Sequence, residues 1–491
     1  MKFVKLLSAC RQVAPILMVL LLLSTVEMGR AADFCPGLPP PGEPIITVDN
    51  VGDLLVAVNG AAAGTAIMLA PGTYYLDGSY LRITAEGVSI RGVSGDRGSV
   101  VLDGGYVTNE IIQITASNVT IADLTLMQAR HHPIHVSPAE SGDVLNTLIY
   151  NVHIIDPGQQ AIKINPNASR TYFPDQGEIA CSRLELTDSG RSAVWAINDE
   201  ICYTGGVDAH QARGWTVRDN EIEGFWCRNG LSEHGIHFWR GCRDTDVRRN
   251  RLVDNVRGIG FGLVSYSPDV RTYPDNPCPG TSGYVGHYGG LVMNNFVLQT
   301  REELRLSEYG FDTGIALAQS CGARVVHNSV VATSTPFNSI EYRFANTSAE
   351  ITNNLVSHDI ISREGGAAIL SGNVDGAALN NFVAPYAGDL HLAGSAAVAL
   401  NTGVDPGLGE YGDMDGQQRM QPPDVGADER NPGDINGDGA IDLTDTILGL
   451  RILGGFATIP TYPRADITDG GRLSMADVLF TLQVTAGLRS P

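Results

Sequence analysis

Residues 217–222 read V-R-D-N-E-I, residues 247–252 read V-R-R-N-R-L and residues 292–297 read V-M-N-N-F-V. In each segment an Asn lies three positions after an apolar residue. The same spacing recurs in residues 148–151, 217–220, 247–250, 292–295, 325–328, 351–354 and 378–381, with Asp123 in the Asn place of an earlier copy. A marker that returns about every 22 to 30 residues, with loops inserted in some turns and one marker missing from the widest gap, predicts a solenoid.

Alternation inside each unit identifies the type of solenoid. Residues 120–126 and 150–154 largely alternate between apolar and polar side chains, as strands with one buried face do. The chain has 57 Gly among 491 residues and turn residues between the strands, which argues against helical repeats. The sequence therefore predicts a parallel β-solenoid. Stacked Asn residues suit one of its corners, because Asn tolerates the left-handed conformation and its amide can bond to the amide one coil away.

The amino-terminal residues have the pattern of a secretory signal peptide. Lys2, Lys5 and Arg11 precede an apolar run over residues 16–23, and the small residues Ala31 and Ala32 follow. We expect the signal to occupy residues 1–32. The run is too short for a comfortable membrane span, and no other stretch qualifies. A secreted protein without a transmembrane anchor is expected, located outside the cell, on its surface or in the periplasm.

Charge and cysteine content limit the partners. The net charge is −21, and it becomes more negative when the basic signal segment is removed, so nucleic acid is not an expected partner. Export favours disulfide bonds, and closeness in sequence predicts that Cys181 pairs with Cys202 and Cys227 with Cys242. The odd number of cysteines after the signal leaves at least one unpaired. The paired C-x-x-C spacing of a zinc site does not occur.

Four segments are predicted along the chain. The signal (1–32) is followed by a Pro-rich lead-in with a capping helix (33–65), the solenoid (66–430) and a separate module (431–491). Leu54, Leu55 and Val58 give the capping helix its apolar side, which would cover an otherwise open sheet edge. Residues 170–206 and 265–289 are irregular, and we expect them to leave the solenoid body, at least in part, as loops.

Two motifs carry a resemblance to a known family. A-P-G-T-Y-Y (70–75) and G-V-S-I-R-G-V-S-G-D-R (87–97), followed by the Asn-marked coils, resemble the right-handed parallel β-helix proteins of the pectate-lyase-like superfamily. The resemblance spans about residues 45–430 and implies an all-β, right-handed parallel β-helix and a polysaccharide substrate or ligand. D-M-D-G-Q-Q-R with P-D-V-G-A-D-E, over residues 413–429, resembles a closing motif of bacterial secreted β-helices, for which we expect a structural role.

The last sixty residues contain a calcium-loop pattern. In G-D-I-N-G-D-G-A-I-D-L-T-D (433–445) the oxygen ligands of an EF-hand-like loop fall on Asp434, Asn436, Asp438, the Ala440 carbonyl, Asp442 and Asp445. Asp rather than Glu at the last position resembles a dockerin repeat, which implies a small all-α module that binds Ca²⁺ and a cohesin-like protein partner. A helix with Leu443, Ile447, Leu450 and Leu453 on one face should follow.

A second copy of the loop is less complete. It begins at Asp466, continues through Thr468 and reaches Asp477, but Gly470 stands where the first copy has Asp438. Calcium binding and a polar turn without metal are both open for this loop.

The second apolar element of each coil predicts a functional row. Residues 133–136, 161–164, 235–239, 258–261, 314–317 and 339–343 can be stacked, and residues 193–196 fit between the second and third. In each the Ile or Val points inward, so the next residue points outward. We call these outward residues the outward row and predict that it is exposed: His135, Lys163, Trp195, His237, Gly260, Ala316 and Glu341. One position further along the strands lie Asn165, Trp239 and Arg343.

The chemistry of this row suits an anionic sugar chain, because cations meet carboxylates and rings stack on sugar faces. β-Elimination of a uronic acid needs carboxylate neutralisation, a base for the proton next to the carboxylate and an acid for the leaving oxygen. The predicted roles are base for Lys163 or His237, neutralisation for Arg240, Arg343 or Ca²⁺, orientation of a base or metal binding for Glu341, and substrate binding for His135, Asn165, Trp195 and Trp239.

Several alternatives stay open. Hydrolysis needs two carboxylates about 5 to 10 Å apart, for which Glu233 or Asp208 with Glu341 are the candidate pairs. The Asn and alternating Glu pattern of the chondroitinase-B and alginate lyase branch is absent, as is the clustered Asp pattern of pectate lyases. The leading hypothesis is a monomeric polysaccharide lyase. Epimerisation, non-catalytic glycan binding or adhesion, and a purely structural surface role are the alternatives, in which Lys163 and His237 are ordinary surface residues.

Overall fold

The structure, a computed structural model, describes residues 34–263, 270–281, 283–333, 338–409, 411–456, 465, 467 and 473–489. The predicted signal peptide and the predicted ligands Asp466 and Thr468 lie outside the described residues. The described chain divides into two compact units, residues 33–430 and the residues from 431 onward.

Residues 33–430 form a parallel β-helix. One of its long sheets has ten strands in strict chain order, every pair parallel: Leu81–Ile83, Glu110–Ile114, His132–Val136, Gln160–Ile164, Gly205–His210, Ile236–Trp239, Arg257–Phe261, Thr313–Ala318, Asn338–Arg343 and Ile360–Arg363. Successive coils pair with one another without a reversal, which confirms the predicted parallel solenoid. The right-handed sense of the coils stays a prediction.

A larger parallel sheet supplies the other sides of each coil. Its 22 strands are Ile45–Val48, Ala66–Leu69, Gly72–Tyr75, Ser89–Gly92, Val100–Asp103, Thr120–Met127, Leu148–Ile155, Glu178–Ala180, Arg183–Glu185, Thr216–Arg218, Glu221–Glu223, Cys242–Arg243, Asp246–Arg248, Arg251–Val253, His287–Tyr288, Leu291–Met293, Phe296–Gln299, Ser320–Val326, Ser329–Ala332, Ser348–Thr352, Leu355–Val356 and Ala367–Ser371. In two early coils a single strand continues through a corner of the coil, Thr120–Met127 and Leu148–Ile155, whereas later coils have two separate strands there. The corner lies at Asp123 and Asn151, whose φ angles are positive.

Inward-pointing side chains of the ten-stranded sheet stack in register through the core. Ile134, Ile162, Val207 and Ile236 are direct strand partners from coil to coil, and each is fully buried. Burying an aliphatic side chain of this size stabilises the fold by about 1.5 to 3 kcal/mol. The same contact repeats from coil to coil, so the apolar residues of the sequence repeat form the core of the β-helix.

The Asn ladder runs through the corner between the two halves of the larger sheet. Each Nδ2 donates to the Oδ1 of the next coil at 2.9 to 3.0 Å, along the series Asn220, Asn250, Asn295, Asn328, Asn354 and Asn373. The predicted amide stacking is confirmed. Ser182 lies before Asn220 in this series, since its N–H donates to Asn220 Oδ1 at 2.9 Å, so Ser182 fills the gap where a marker is missing.

Three details of the predicted ladder are wrong. Asp123 and Asn151 occupy the position before the ladder, where the backbone is left-handed, and Asn381 lies in a short 3-10 helix, Leu379–Asn381, outside it. The left-handed residue of the later coils is the one that precedes each ladder Asn, such as Asn294 at φ 56° and Asn353 at φ 56°. The turn and the amide stack therefore use two adjacent residues rather than one.

Helices and short strands cover or interrupt the coils. The helix Val51–Gly60 begins at Asn50, whose side chain accepts the Asp53 N–H, and buries Leu54 and Val58. Two insertions are helical, Asp188–Ile197 and Glu302–Arg305. The remaining elements are the parallel pair Val144–Leu145 and Pro174–Asp175, the antiparallel pair Phe382–Ala384 and Asp389–Leu392, and the 3-10 helix Pro385–Ala387. No helix in the described part of the chain has the length and apolar character needed to cross a membrane.

The disulfide bonds differ from those predicted. Cys35 pairs with Cys181, Cys202 with Cys227 and Cys278 with Cys321, while Cys242 is free and buried. The error arises because coil stacking brings together residues far apart in sequence, such as Cys35 and Cys181, whose Cα atoms are 5.6 Å apart. Burial raises the pKa of the Cys242 thiol to about 12. Three disulfide bonds indicate an extracytoplasmic protein.

The carboxy-terminal unit contains two helices, Leu443–Leu453 and Met475–Thr485, each with a capping box at its start. The first begins at Leu443, within the last three positions of the predicted calcium loop, and so includes the predicted ligand Asp445. Its core residues are Leu448 and Gly449, whereas Leu443, Leu450 and Leu453 are 39 to 49% exposed. The predicted apolar face therefore lies mostly in solvent rather than in the core.

Candidate functional site

The register of the ten-stranded sheet defines the outward row. Reading across consecutive strands, the partners are Gln113, His135, Lys163, Asp208, His237, Gly260, Ala316 and Glu341. The predicted order is confirmed for six of its seven members. Asp208 holds the place that the sequence interpretation gave to Trp195.

Trp195 was misplaced because residues 193–196 are helical. They lie in the helix Asp188–Ile197, where Trp195 is half-buried. The segment V-D-A, residues 207–209, repeats the apolar-polar-apolar phrase of I-K-I, residues 162–164, and could have identified Asp208 from sequence.

The middle of the outward row is buried, which corrects the prediction of an exposed row. Lys163 is 5% exposed, Asp208 2% and His237 0%. Lys163 Nζ donates a hydrogen bond to Asp208. Burial alone would lower the pKa of Lys163, but the Asp208 carboxylate raises it above its usual value. Burial would raise the pKa of Asp208, and Lys163 instead holds it well below its usual range. Both groups are therefore charged at neutral pH.

Aromatic and imidazole rings surround Asp208. Trp239 Nε1 donates to Asp208 Oδ1 at 2.8 Å, and His210 Nε2 lies 3.4 Å from the same oxygen. The Trp239 ring stacks on the His237 ring with centroids 5.4 Å apart, and the Arg240 guanidinium lies 5.2 Å from the Trp239 ring. Arg240 thus joins this cluster through its contact with the Trp239 ring.

His237 meets a segment that crosses the outer face of the sheet. Glu233 Oε2 lies 3.3 Å from His237 Nδ1, and the His234 and His237 rings have centroids 4.3 Å apart. On its other side, His237 Nε2 donates to the Gly262 carbonyl at 3.1 Å. This segment, which follows Cys227, accounts for the burial of a residue that strand alternation places outside.

His135 is the imidazole of the row that reaches solvent. Its side chain is 20% exposed, and its Nδ1 atom lies 2.8 Å from Glu110 Oε1. Asn165 Nδ2 lies 3.4 Å from the other ring nitrogen, Nε2. Burial would raise the pKa of Glu110, but the hydrogen bond with His135 lowers it overall. An imidazole with a carboxylate on one ring nitrogen, in a side chain that is partly exposed, is able to transfer protons. Glu110 was not among the predicted site residues.

Glu341 and Arg343 lie too far along the sheet to join this group. Gly260 and Ala316 separate Glu341 from His237, and Asp208 lies one coil further still. Four strand spacings amount to about 19 Å, so Asp208 and Glu341 cannot act as a hydrolytic carboxylate pair. Glu341 forms an ion pair with Arg363 at 2.8 Å, and Arg343 forms one with Glu364 at 2.9 Å.

A cleft of about 840 Å³ opens beside the carboxyl ends of Gln160–Ile164 and Gly205–His210. Its lining includes Arg170, Arg213, Arg271, Phe173 and Tyr273. Asp175 pairs with two of these cations, at 2.6 Å from Arg271 and 3.6 Å from Arg213. Cations therefore outnumber carboxylates among these side chains, in a protein whose net charge is strongly negative.

The first predicted calcium loop is wound around Asp434. The two carboxylate oxygens of Asp434 accept the N–H groups of Gly437 at 2.7 Å and of Gly439 at 2.8 Å. Asp445 at the other end accepts the Ile435 N–H at 2.8 Å. Burial, followed by the nearby Asp445 and Asp438, raises the pKa of Asp434 to about 7. Converging acids with raised pKa values are suited to a cation that would lower them again.

The second loop repeats part of this geometry. Asp477 Oδ1 accepts the Ile467 N–H at 2.8 Å, as Asp445 accepts that of Ile435, and Asp477 Oδ2 accepts the Ser474 N–H at 2.6 Å. In both copies, the acid at the last position of the loop therefore accepts the N–H of the residue that follows the first position.

Comparisons with known proteins give similarity of fold at low sequence identity. No protein-family model matches the chain, and no curated protein matches it in sequence. Among solved structures, it is similar to pectate lyase Pel9A, with 13% identity, a TM-score of 0.46 and coverage of 77% of this chain and 90% of that one. It is also similar to an alginate lyase from Paenibacillus sp. str. FPU-7, with 13% identity, a TM-score of 0.39 and coverage of 66% and 99%. A polygalacturonase from Erwinia carotovora ssp. carotovora has 13% identity, a TM-score of 0.39 and coverage of 70% and 99%.

Proposed function

We propose that this protein is a secreted carbohydrate-active enzyme that cleaves an anionic, uronic-acid-containing polysaccharide by β-elimination. The observation that carries the proposal is the partly exposed pair of His135 and Glu110, on a sheet whose strand ends lie beside a cleft rich in Arg and aromatic residues. Carboxylates of a sugar chain would meet the guanidinium groups, and sugar faces would stack on Phe173 and Tyr273.

In the proposed reaction His135 is the base. Its ring nitrogen removes the proton next to the sugar carboxylate, the electron pair forms a carbon-carbon double bond, and the bond to the leaving glycosidic oxygen breaks while that oxygen takes up a proton. Arg170 and Arg213 are exposed enough to neutralise the carboxylate. Lys163 is less suited to the role of base than the sequence suggested, because its ion pair with Asp208 keeps it protonated.

The test is incubation of the mature protein with a panel of uronic-acid polymers, monitored by ultraviolet absorbance of unsaturated chain ends. The expected result is an absorbance increase with at least one polymer, which His135→Gln abolishes and His153→Gln retains. New reducing ends without that absorbance would show hydrolysis instead.

A second candidate function is glycan binding without cleavage. It is favoured by the buried ion pair of Lys163 and Asp208, because two charged groups that were candidates to act on a substrate bind each other instead. Polymer binding that survives with no turnover, and that is unchanged by His135→Gln, would support this function over the enzymatic one.

We also propose that the carboxy-terminal unit binds Ca²⁺ and a cohesin-like protein. The support is the apolar surface of its two helices, where Leu443, Leu450, Leu479 and Leu482 are 43 to 51% exposed. Calorimetric titration with a cohesin domain should give binding that chelator removes and Leu450→Asp weakens. Equal binding with and without Ca²⁺ would contradict it.

A further inference from the structure

We propose that Glu233, His234 and His237 bind one divalent transition-metal ion of the Zn²⁺ class, through one carboxylate oxygen and two imidazole nitrogens. One donor atom from each residue lies within 4.8 Å of the other two. None of the three has a role in the proposed elimination, so this site stands or fails independently of it.

The donor atoms are buried and unsatisfied. Glu233 Oε2, His234 Nδ1 and His237 Nδ1 have no hydrogen-bond partner, and His234 and His237 are 3% and 0% exposed. An unpaired buried polar atom is unfavourable, so three of them this close together call for a ligand. A metal ion would satisfy all three at once. Protonated His237 paired with Glu233, 3.3 Å away, is the competing arrangement, but it leaves His234 Nδ1 unsatisfied.

The proton on His237 is directed away from the donor cluster. His237 Nε2 lies 3.1 Å from the Gly262 carbonyl, which can only accept, so Nε2 carries the proton. In the neutral ring Nδ1 then has a free lone pair, and it is Nδ1 that faces Glu233. Backbone carbonyls commonly orient metal-ligating histidines in this way.

A glycine makes room for the second imidazole. A Cβ atom added at Gly260 would lie 2.7 Å from two atoms of the His234 ring, closer than real contacts allow. Gly260 therefore provides the recess that holds His234 against His237.

The donor set selects the type of ion. Two imidazoles and a carboxylate suit Zn²⁺, Co²⁺ and related ions, whereas Ca²⁺ takes oxygen ligands such as those of the loop at Asp434. Zinc bonds of about 2.0 to 2.2 Å place tetrahedral donors roughly 3.4 Å apart, so small side-chain movements would close the site. Three protein ligands leave a fourth position for water, and the 25% exposed Glu233 side chain lies on the accessible side.

The test is a Co²⁺ titration of the mature full-length protein after removal of metals by chelator, read by visible absorbance and followed by Zn²⁺ displacement. We expect one equivalent of Co²⁺ with the absorbance of a four-coordinate site. Glu233→Gln, His234→Gln and His237→Gln should each weaken binding about tenfold or more. The controls are His153→Gln, a histidine paired with Glu185 elsewhere, and Asp434→Ala with Asp438→Ala, which removes the calcium loop. Both should leave the absorbance unchanged.

Two results would overturn the proposal. One is the absence of a Co²⁺ absorbance in the wild-type protein, or its loss when Asp434→Ala with Asp438→Ala removes the calcium loop. The other is equal affinity in the ligand variants and in His153→Gln. Gly260→Ala keeps all three ligands and covers the case in which a ligand variant does not fold. It should weaken Co²⁺ binding, and unaltered affinity in a folded Gly260→Ala protein would also count against the site.

Discussion

The Nδ1 atom of His135 lies 2.8 Å from Glu110 Oε1, on the neighbouring strand of the ten-stranded sheet. Glu110 is the strand partner of His132, and its carboxylate reaches diagonally across the strand pair to His135. This partly exposed pair can act as an acid and a base, and the proposed function depends on it.

Replacing His135 tests this pair directly. His135→Gln should lower kcat on the cleaved polymer by about 10² to 10⁴-fold, the usual contribution of a general base. Glu110→Gln should have a smaller effect, since it leaves the imidazole in place but removes the carboxylate that orients it. Steady-state kinetics on both variants would measure this.

His153 is the matched control, because its Nε2 lies 3.1 Å from Glu185 and its side chain is also 20% exposed. His153→Gln should retain wild-type kcat. An equal loss in both histidine variants would mean that the effect is on folding rather than on chemistry.

Lys163→Met is expected to destabilise the β-helix by about 3 to 5 kcal/mol, because it leaves the buried Asp208 carboxylate without its partner. Adding Asp208→Leu should recover much of the loss, since no charge then remains buried. Urea unfolding measures both. A stable but inactive Lys163→Met protein would return Lys163 to the role of base.

Asn295 is expected to be a major stabilising residue of the Asn ladder. It is fully buried, and its amide joins Asn250 and Asn328. Asn295→Ala leaves polar atoms on both neighbouring coils unpaired, at a cost of about 2 to 4 kcal/mol. The exposed Asn229 provides the control, for which substitution by Ala should change the free energy of unfolding by less than about 0.5 kcal/mol. Equal effects in chemical denaturation would contradict the structural role of the ladder.

Calcium should stabilise the carboxy-terminal unit through the loop at Asp434. Asp434→Ala with Asp438→Ala removes two of its oxygen ligands, so the rise in melting temperature on adding Ca²⁺ should disappear. Differential scanning calorimetry with Ca²⁺ and with chelator makes the comparison, with Asp359→Ala, an exposed acid of the β-helix, as control. Undiminished stabilisation in the double variant would place the calcium elsewhere.

The closing motif is expected to contribute more to the stability of the β-helix at pH 5 than at pH 8. Burial raises the pKa values of Asp413 and Glu429 to about 7. Between about pH 4 and 7 these groups hold protons in the folded state but not in the unfolded one, so the free energy of unfolding falls as pH rises.

His391 acts in the same direction. Burial alone would lower its pKa, but Asp428 and then Asp389 raise it well above the usual value. Its contribution is complete below about pH 6.5 and is lost as pH rises through the raised value. Thermal unfolding at pH 5 and pH 8 measures this contribution by comparing the wild-type protein with His391→Gln. The melting temperature at pH 5 minus that at pH 8 should be larger in the wild type than in the variant. An equal or smaller difference in the wild type would refute the predicted sign.

Much of the fold could be predicted from local sequence pattern. The marker spacing, the alternation around Ile134, Ile162 and Ile236, and the carboxyl spacing around Asp434 are each contained in a few consecutive residues. A strand places alternate side chains on opposite faces whatever its partners are, so the inward and outward assignments of His135, Lys163 and His237 follow from the chain alone.

Burial of the site could not be predicted in this way. Strand alternation shows that His237 points away from the coil interior, but Glu233 and His234 cover it through a segment without periodicity. The disulfide pairs and the helical position of Trp195 likewise depend on how segments between the strands fold back over the coils. The contact of Glu110 with His135 depends on the register of two strands. The sequence by itself determined the repeating coil, because each coil is specified by short-range alternation. Only the tertiary structure decided which outward residues reach solvent, because that depends on contacts between segments whose spacing follows no period.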